Sequence, residues 1–260
     1  MNTLYTPHVS KGEYIYFTDD SNDPCYMPAG AITSLRVGTI LCNSHGEESL
    51  LVIGKQYHYT HETRAFHRLI CEALCDISEA NEQYSIHHKG YSVAWITLSD
   101  SASVGKRSDT SGPRIGSLLR ASFDISVERS FVIPDEPEQL EHLLLDLSLF
   151  QRFNCILTTG GTGLSPRDIT PNVMEKIIQH PLHGFEIAMM QASMQYVSTA
   201  ILSRARAGII AQSIIINLPG SPKAVEQNLI PLLPALPHAM DKLCGDTSDC
   251  AGLFTLPSTK

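Results

Sequence analysis

No apolar run in this 260-residue chain approaches the ~20 residues that a bilayer-spanning helix needs. The richest stretch, Ile209 to Leu218, is interrupted by Gln212, Ser213 and Asn217, so a soluble protein without a membrane partner is expected. Basic charge is also short. Nineteen Lys and Arg stand against 27 Asp and Glu, a formal charge of −8. A nonspecific grip on nucleic acid or anionic lipid is therefore not expected, and any bound phosphate must be held by local geometry. The seven cysteines (Cys25, Cys42, Cys71, Cys75, Cys155, Cys244 and Cys250) are odd in number and contain no CxxC pair, and no basic-apolar-small leader opens the chain. A reducing, cytoplasmic compartment is the expectation. With 15 proline and 17 glycine residues and no internal repeat, collagen, coiled coil and low-complexity tail are excluded. A chain of this length buries roughly 70–75% of its unfolded surface, enough for a large apolar core without staples.

What is present divides at about residue 88. Residues 1–88 are rich in Tyr, His and turn residues, with short β-like runs at 13–17, 34–41 and 50–53. Phe66, Leu69, Ile70, Ala73, Leu74 and Ile77 recur at helical spacing, which predicts one helix over about 62–81, and the polar tract 81–90 reads as a linker. The expectation is a small β-rich N-terminal domain with one helix. His58, His61 and His67 beside Glu62, and Cys71 one helical turn from Cys75, are the metal candidates there. Without an HExxH pattern they read better as structural histidines and buried small side chains.

From Tyr91 the pattern changes to apolar strands alternating with amphipathic helices. Strands are predicted at 93–98, 126–133, 155–159 and around 209–217, and helices after Ser111 (read as an N-cap before Pro113), over 140–150, from Thr170-Pro171, over 188–196 and from Ser221. Such alternation implies an α/β fold, a mostly parallel sheet covered by helices on both faces, over residues 89–260.

Three polar turns follow predicted strands, where open α/β sheets place ligands. The richest is Thr159-Gly160-Gly161-Thr162-Gly163-Leu164-Ser165-Pro166-Arg167-Asp168. Its glycines let the backbone approach a ligand and turn N–H groups inward, which binds phosphate without net positive charge. No Gly-Lys-Ser/Thr follows, and Pro166 occupies the last position of a GxGxxG string, so neither standard nucleotide fingerprint applies. By composition alone a tight turn explains the string equally well. Asp135-Glu136 and Asp168 place acids at two strand ends, the hard oxygen set that Mg²⁺ against polyphosphate needs. Acids at helix N-termini are the competing explanation: it is the better one for Glu136, while Asp168 fits either. Ser99 to Ser111, with Asp100, Lys106 and Arg107, and Pro219-Gly220-Ser221-Pro222-Lys223 are the other two turns. Together the three point to one composite site.

TLSDSAS (97–103) with DTSGP (109–113), IPDE (133–136), LTTGGTGLSPRDITP (157–171), ILSRARAG (201–208) and NLPGSPK (217–223) occur in one order and spacing. This ordered set resembles the molybdopterin-binding proteins of molybdenum-cofactor biosynthesis: adenylyltransferases of the MogA type, their MoaB relatives and the gephyrin G domain. The resemblance covers about residues 90–245. It implies a three-layer α/β/α fold and a homotrimer. The implied reaction takes Mg²⁺ and ATP as co-substrate, transfers AMP to the terminal phosphate of molybdopterin and releases pyrophosphate. Hand-over to a molybdate-insertion enzyme is implied as well. Carried over by position, Asp135 and Asp168 are the catalytic and metal-binding acids. Thr159, Gly160, Gly161, Thr162, Gly163, Ser165 and Arg167 cradle phosphate, and Asp100, Ser111, Pro219, Gly220, Ser221 and Lys223 line the site. The chain departs from the pattern at Ser101, where the family has Arg, and after Phe185. There Glu186 stands one position early, Ile187 takes its place and Met190 occupies the Arg position. These departures leave two alternatives beside the adenylyltransferase: a pterin-binding scaffold without turnover, and a nucleotide-pyrophosphate hydrolase of similar fold.

Overall fold

The computed structural model describes residues 3–59 and 65–245. Its first part contains β1 (Thr3–Thr6), β2 (Tyr14–Thr18), α1 (Ala29–Ser34), β3 (Thr39–Cys42), β4 (Glu48–Tyr59), β5 (Ala65–Ala73), β6 (Ala80–Gln83) and β7 (Ser85–His88). Five strands form one antiparallel sheet in the order β2-β5-β4-β3-β7, and β1 pairs with β6. Leu4, Ile15, Phe17, Met27, Ile32, Leu41, Leu50, Leu69, Cys71 and Tyr84 close an apolar cluster among these elements.

Where the structure describes it, the segment 62–81 holds no helix: residues 65–73 are strand β5, 74–79 are irregular apart from a bridge of Ile77 to Val9, and 80–81 open β6. In β5 the buried side chains are Leu69, Cys71 and Ala73, a period of two, and the whole strand pairs with β4. The helical spacing of Phe66, Leu69, Ile70 and Ala73 is coincidental, because Phe66 and Ile70 lie on the half-buried opposite face. The expected linker 81–90 is likewise mostly strand. β6 and β7 bury almost no side chain, so no apolar pattern marks them, and backbone pairing to β1 and β3 forms them. His61, Glu62 and Cys250 lie outside the described residues. His67 is held by Asp19 at 2.7 Å, and among the described residues no group of three or more His, Cys, Asp or Glu could hold a metal ion.

The second part runs β8 (Tyr91–Leu98), α2 (Asp100–Ser103), α3 (Ser111–Arg120), β9 (Ile125–Ile133), α4 (Pro137–Leu145) with a π-helical turn at Asp146–Phe150, β10 (Cys155–Thr159), α5 (Thr170–Ile177), β11 (His180–Pro181), α6 (His183–Met194), a 3₁₀ turn (Ser198–Leu202), β12 (Ala207–Ile210), β13 (Ser213–Leu218), α7 (Pro222–Leu229) and α8 (Leu236–Leu243). One six-stranded sheet has the order β11-β12-β13-β10-β8-β9, with β13, β10, β8 and β9 parallel and β12 antiparallel to β13. The class is α/β. The central strands read as near-continuous apolar runs because both faces are covered. Val93, Trp95, Leu157, Ile214 and Ile216 face Ile115, Leu119, Met189, Val225 and Met240 of α3, α6, α7 and α8. Ala94, Ile96, Ile156 and Ile215 face Leu140, Leu144, Val173 and Met174 of α4 and α5.

Val37, Leu51 and Ile53 of the first part join this second cluster, and polar contacts secure the seam. Gln151 exchanges hydrogen bonds with the backbone of Lys55, its Nε2 to the carbonyl and the Lys55 N–H to its Oε1, both 2.9 Å. Lys55 itself is buried, and Nζ donates to the carbonyls of Phe150 (2.7 Å) and Thr33 (3.3 Å). Burial, followed by the charges of Arg152 and Arg36, pushes its pKa down to about 7. Between that value and the ordinary 10.5 the unfolded chain carries a proton that the folded chain has released. Stability should therefore rise with pH across this window. We expect urea unfolding to show a Lys55-dependent gain of about 2 kcal/mol between pH 7 and 9, absent in Lys55→Met. Equal pH slopes in the two proteins would contradict this.

Candidate functional site

Strands β8, β10 and β13 end side by side at Leu98, Thr159 and Leu218, so the turns that follow them converge. After β8, the Ser99 hydroxyl caps α2 by accepting the Ala102 N–H at 3.3 Å. Asp109 then organises the start of α3. Its Oδ1 accepts the N–H groups of Ser111 and Gly112, each at 3.0 Å, and its Oδ2 accepts the Thr97 hydroxyl at 2.9 Å. The cap is thus the Asp109 carboxylate and not Ser111, which is already helical. The Ser111 hydroxyl instead ties two turns together by donating to the Gly220 carbonyl at 2.7 Å.

After β10 the chain turns through Gly160 (φ 110°) and Gly161 (φ 63°), conformations that exclude most side chains. Gly160 is fixed from three sides. Its N–H donates to the Leu218 carbonyl (3.0 Å), and its carbonyl accepts Thr170 Oγ1 (3.1 Å) and Asn217 Nδ2 (3.2 Å). Thr159 Oγ1 donates to the Pro219 carbonyl at 2.7 Å. Further along, Asp168 Oδ2 accepts the Ser165 N–H at 2.8 Å, which folds the carboxylate back over the loop. After β13, Ser221 caps α7 through the Ala224 N–H at 3.2 Å.

The acids meet across these turns. Asp100 and Asp135 exchange hydrogen bonds, the Asp135 N–H to Asp100 Oδ1 (3.1 Å) and the Asp100 N–H to Asp135 Oδ2 (3.3 Å). Arg167 forms an ion pair with Asp100. The Asp135 carboxyl is pushed above the ordinary carboxylate range, first by burial and then by the charges of Asp100 and Asp168. The Asp100 N–H and the Arg167 guanidinium oppose the shift.

A polar cleft of about 300 Å³ lies over this arrangement. Of the residues singled out in the sequence, Ser111, Asp135, Thr159, Gly160, Gly161, Arg167, Asp168 and Gly220 line it, together with Arg107. Asp100 is exposed and does not line the cleft, but it pairs with Arg167 and Asp135, which do. Thr162, Gly163 and Pro219 line a second, less polar pocket of about 310 Å³, with Glu186, Met189, Met190, Leu202, Arg206 and Asn228. Ser165 closes a turn by accepting the Arg167 N–H at 3.3 Å and Ser221 caps α7, whereas Lys106, Lys223 and Glu136 line neither space. The shifted carboxylate of Glu186 still reaches the second pocket. Its Oε1 accepts the Ala207 N–H at 3.1 Å and its Oε2 lies 2.9 Å from His183 Nδ1. Ile187 points outward and is exposed.

Three contributors escaped the sequence reading. Thr97 and Asp109 form the α3 cap described above. Asn217 is buried, and its amide bridges Thr158 Oγ1 (3.0 Å) and Gly160 O (3.2 Å). An Asn closing the run Ile214-Ile215-Ile216 is a signal that could have exposed it, since a polar group in a buried strand needs a partner.

Acids, a glycine turn and a polar cleft at the carboxyl ends of parallel strands form an arrangement that can receive a phosphorylated ligand. Residues 94–238 match the family described as the probable molybdopterin binding domain, and the chain belongs to this family. It is 40% identical over 152 residues to the molybdopterin adenylyltransferase of Helicobacter pylori, covering 58% of this chain and 86% of that protein. Gephyrin of Dictyostelium discoideum is 40% identical over 157 residues, 57% of this chain but only 22% of that much longer protein. Among solved structures, the molybdopterin biosynthesis enzyme MoaB of Thermus thermophilus superposes with a TM-score of 0.55 at 34% identity, over 60% of this chain and 98% of that one. Among the described residues no helix is long and apolar enough to cross a membrane.

Proposed function

We propose that this protein is an enzyme of molybdenum-cofactor biosynthesis, a molybdopterin adenylyltransferase that uses Mg-ATP to form adenylyl-molybdopterin and pyrophosphate. The observation that carries the reading is the glycine loop as a shared wall. Gly160 and Gly161 border the polar cleft, and Thr162 and Gly163 border the less polar pocket. Transfer between two bound substrates needs two spaces that meet at the reacting groups. Here the space with the acids and Arg167 suits a metal-bound polyphosphate, and the space with Met189, Met190 and Arg206 suits a flat heterocycle carrying an anionic group.

In this reading the terminal phosphate oxygen of the pterin attacks the α-phosphorus of ATP while the bond to the β-phosphate oxygen breaks. The nucleophile is supplied by the substrate, so no Ser, Cys or His nucleophile is required. The residues of this chain position and neutralise: loop N–H groups and Arg167 hold phosphate oxygens, and Ser111 and Thr159 keep the three turns in register. Asp135 and Asp168 would hold the Mg²⁺, which supplies charge neutralisation for the departing pyrophosphate. The donor set fits that ion. The charges of Asp100 and Asp168 work together with burial to raise the Asp135 carboxyl, a repulsion that a dication would relieve, and Mg²⁺ needs only one or two carboxylates beside water and phosphate.

The same reading covers assembly, location and layout. Exposed Met194, Tyr196, Val197, Ile201 and Leu202, beside the less polar pocket, support a homotrimer. The six described cysteines are all free, which supports a reducing cytoplasm, and hand-over to the molybdate-insertion enzyme follows from the product. An apolar cluster closed within residues 4–84 supports a division into domains 1–88 and 89–260.

The reading predicts pyrophosphate release that requires ATP, Mg²⁺ and molybdopterin together. A continuous phosphate-coupled assay with each omitted in turn tests it, and release that persists without the pterin would count against it.

A further inference from the structure

We infer that Arg204 is the positioning residue of the glycine loop, a guanidinium strut that sets the direction of the loop's peptide groups. The inference rests on the proposed transfer reaction for its catalytic consequence and on geometry alone for the strut itself. Arg204 lies just after the 3₁₀ turn, remote in sequence from the loop. Its own N–H donates to the Thr162 carbonyl at 2.9 Å. From the side chain, Nε donates to the Gly163 carbonyl (2.8 Å), Nη2 to the Asp168 carbonyl (2.6 Å) and Nη1 to Asn172 Oδ1 (2.7 Å). One half-buried residue therefore holds both ends of the segment 162–168 and the first turn of α5.

The arrangement has a directional consequence. In a trans peptide the carbonyl and the following N–H point to opposite sides. With the Thr162 and Gly163 carbonyls turned toward Arg204, the N–H groups of Gly163 and Leu164 are turned away from it, and neither donates to a protein acceptor among the described residues. A glycine-rich loop has no side chains of its own to keep two donors turned outward and unspent. Arg204 keeps them so through two groups: its main-chain N–H fixes the Thr162 carbonyl and with it the Gly163 N–H, while the planar, forked guanidinium fixes the Gly163 carbonyl, and with it the Leu164 N–H, relative to Asp168 and Asn172. The same grip on the Asp168 carbonyl places the Asp168 carboxylate relative to those donors. Loop and acid are thereby one preorganised unit.

Wild type, Arg204→Met and Arg204→Lys, each as the full chain, should be compared by amide hydrogen exchange and by steady-state kinetics. In Arg204→Met we expect exchange in peptides covering 160–169 to accelerate at least about tenfold, with the five-stranded sheet unchanged. The expected kinetic loss is about 100-fold in kcat with KM for ATP within about threefold, since a loop displaced by an ångström misplaces the reacting groups without removing a binding charge. Arg204→Lys should recover less than a tenth of the loss, because one ammonium cannot serve three fixed acceptors. Loop exchange equal to wild type would overturn the inference, as would acceleration spread evenly over the chain, which marks a merely structural residue. If wild type itself fails to transfer AMP, the proposed reaction falls while the exchange comparison still decides the strut.

Discussion

Asp168→Asn should lower AMP transfer by at least about 10³-fold at saturating ATP, roughly 4 kcal/mol of barrier. The substitution is nearly isosteric. An Asn oxygen can still accept the Ser165 N–H that Asp168 Oδ2 now accepts at 2.8 Å, so the loop keeps its shape. What is lost is a full negative charge facing Asp135 across the cleft. In the proposed reaction that charge holds the dication against the leaving pyrophosphate, and removing it should also raise the Mg²⁺ concentration needed for half-maximal rate. A melting temperature within a few degrees of wild type, alongside the loss of rate, separates the chemical effect from unfolding. Activity within tenfold of wild type would remove Asp168 from the chemistry.

Gly160→Ala is the second large effect, and it acts on structure and rate together. Gly160 has φ 110°, and an added Cβ would come to 2.8 Å from the Leu98 carbonyl oxygen. The residue cannot turn away, because its N–H and carbonyl are both committed, to Leu218, Thr170 and Asn217. We expect a loss of about 3 kcal/mol in urea unfolding, from the positive φ and the contact with backbone combined. Transfer should fall by about 100-fold or more in the fraction that stays folded, since Gly160 begins the wall between the two pockets. Gly46, with φ 82° but open space around its would-be Cβ, is the control. Gly46→Ala should cost only the φ term, about 1–2 kcal/mol, and leave transfer untouched. Equal destabilisation in the two variants would mean that the close approach to Leu98 contributes nothing.

Much of the second part was legible because its signals are redundant. Strands such as Tyr91–Leu98 and Ser213–Leu218 are largely apolar, since helices cover both faces, and each is followed by a polar turn. Glycine at 160 and 161 is demanded by positive φ, so that part of the site is written directly in residue type. The first part was misread where the signal is single. Ala65–Ala73 shows helical spacing only if its two faces are counted together, and pairing with β4 decides the matter. β6 and β7 are polar on both sides and owe their existence to partners some forty residues or more away in sequence, Thr39–Cys42 and Thr3–Thr6. The α3 cap was displaced by two residues because Asp109, Thr110 and Ser111 are all acceptable caps, and only the register of Thr97 selects the first. Arg204 lies beyond reach of any local pattern, since its acceptors are carbonyls 36 and 41 positions earlier.

The seam between the two parts bears on the site only indirectly. Lys55, Arg36 and Arg152 serve carbonyls and side chains there, Arg152 reaching Ser34 O and Gln212 Oε1 and Arg36 reaching the same Gln212 oxygen at 3.0 Å. Gln212 immediately precedes β13, so these two arginine contacts lie at the opposite end of that strand from Pro219 and Gly220. The turns that border the polar cleft follow the carboxyl ends of β8, β10 and β13.

In the proposed reaction AMP passes from ATP to molybdopterin across the glycine loop. Its most direct test is single-turnover product analysis with ATP labelled in the α-phosphate, Mg²⁺ and molybdopterin, with Asp168→Asn run in parallel. The expected result is label on the pterin, one pyrophosphate released per label transferred, and neither in the variant. Label appearing as free AMP without any need for pterin, or remaining in ATP while pterin is bound, would contradict it.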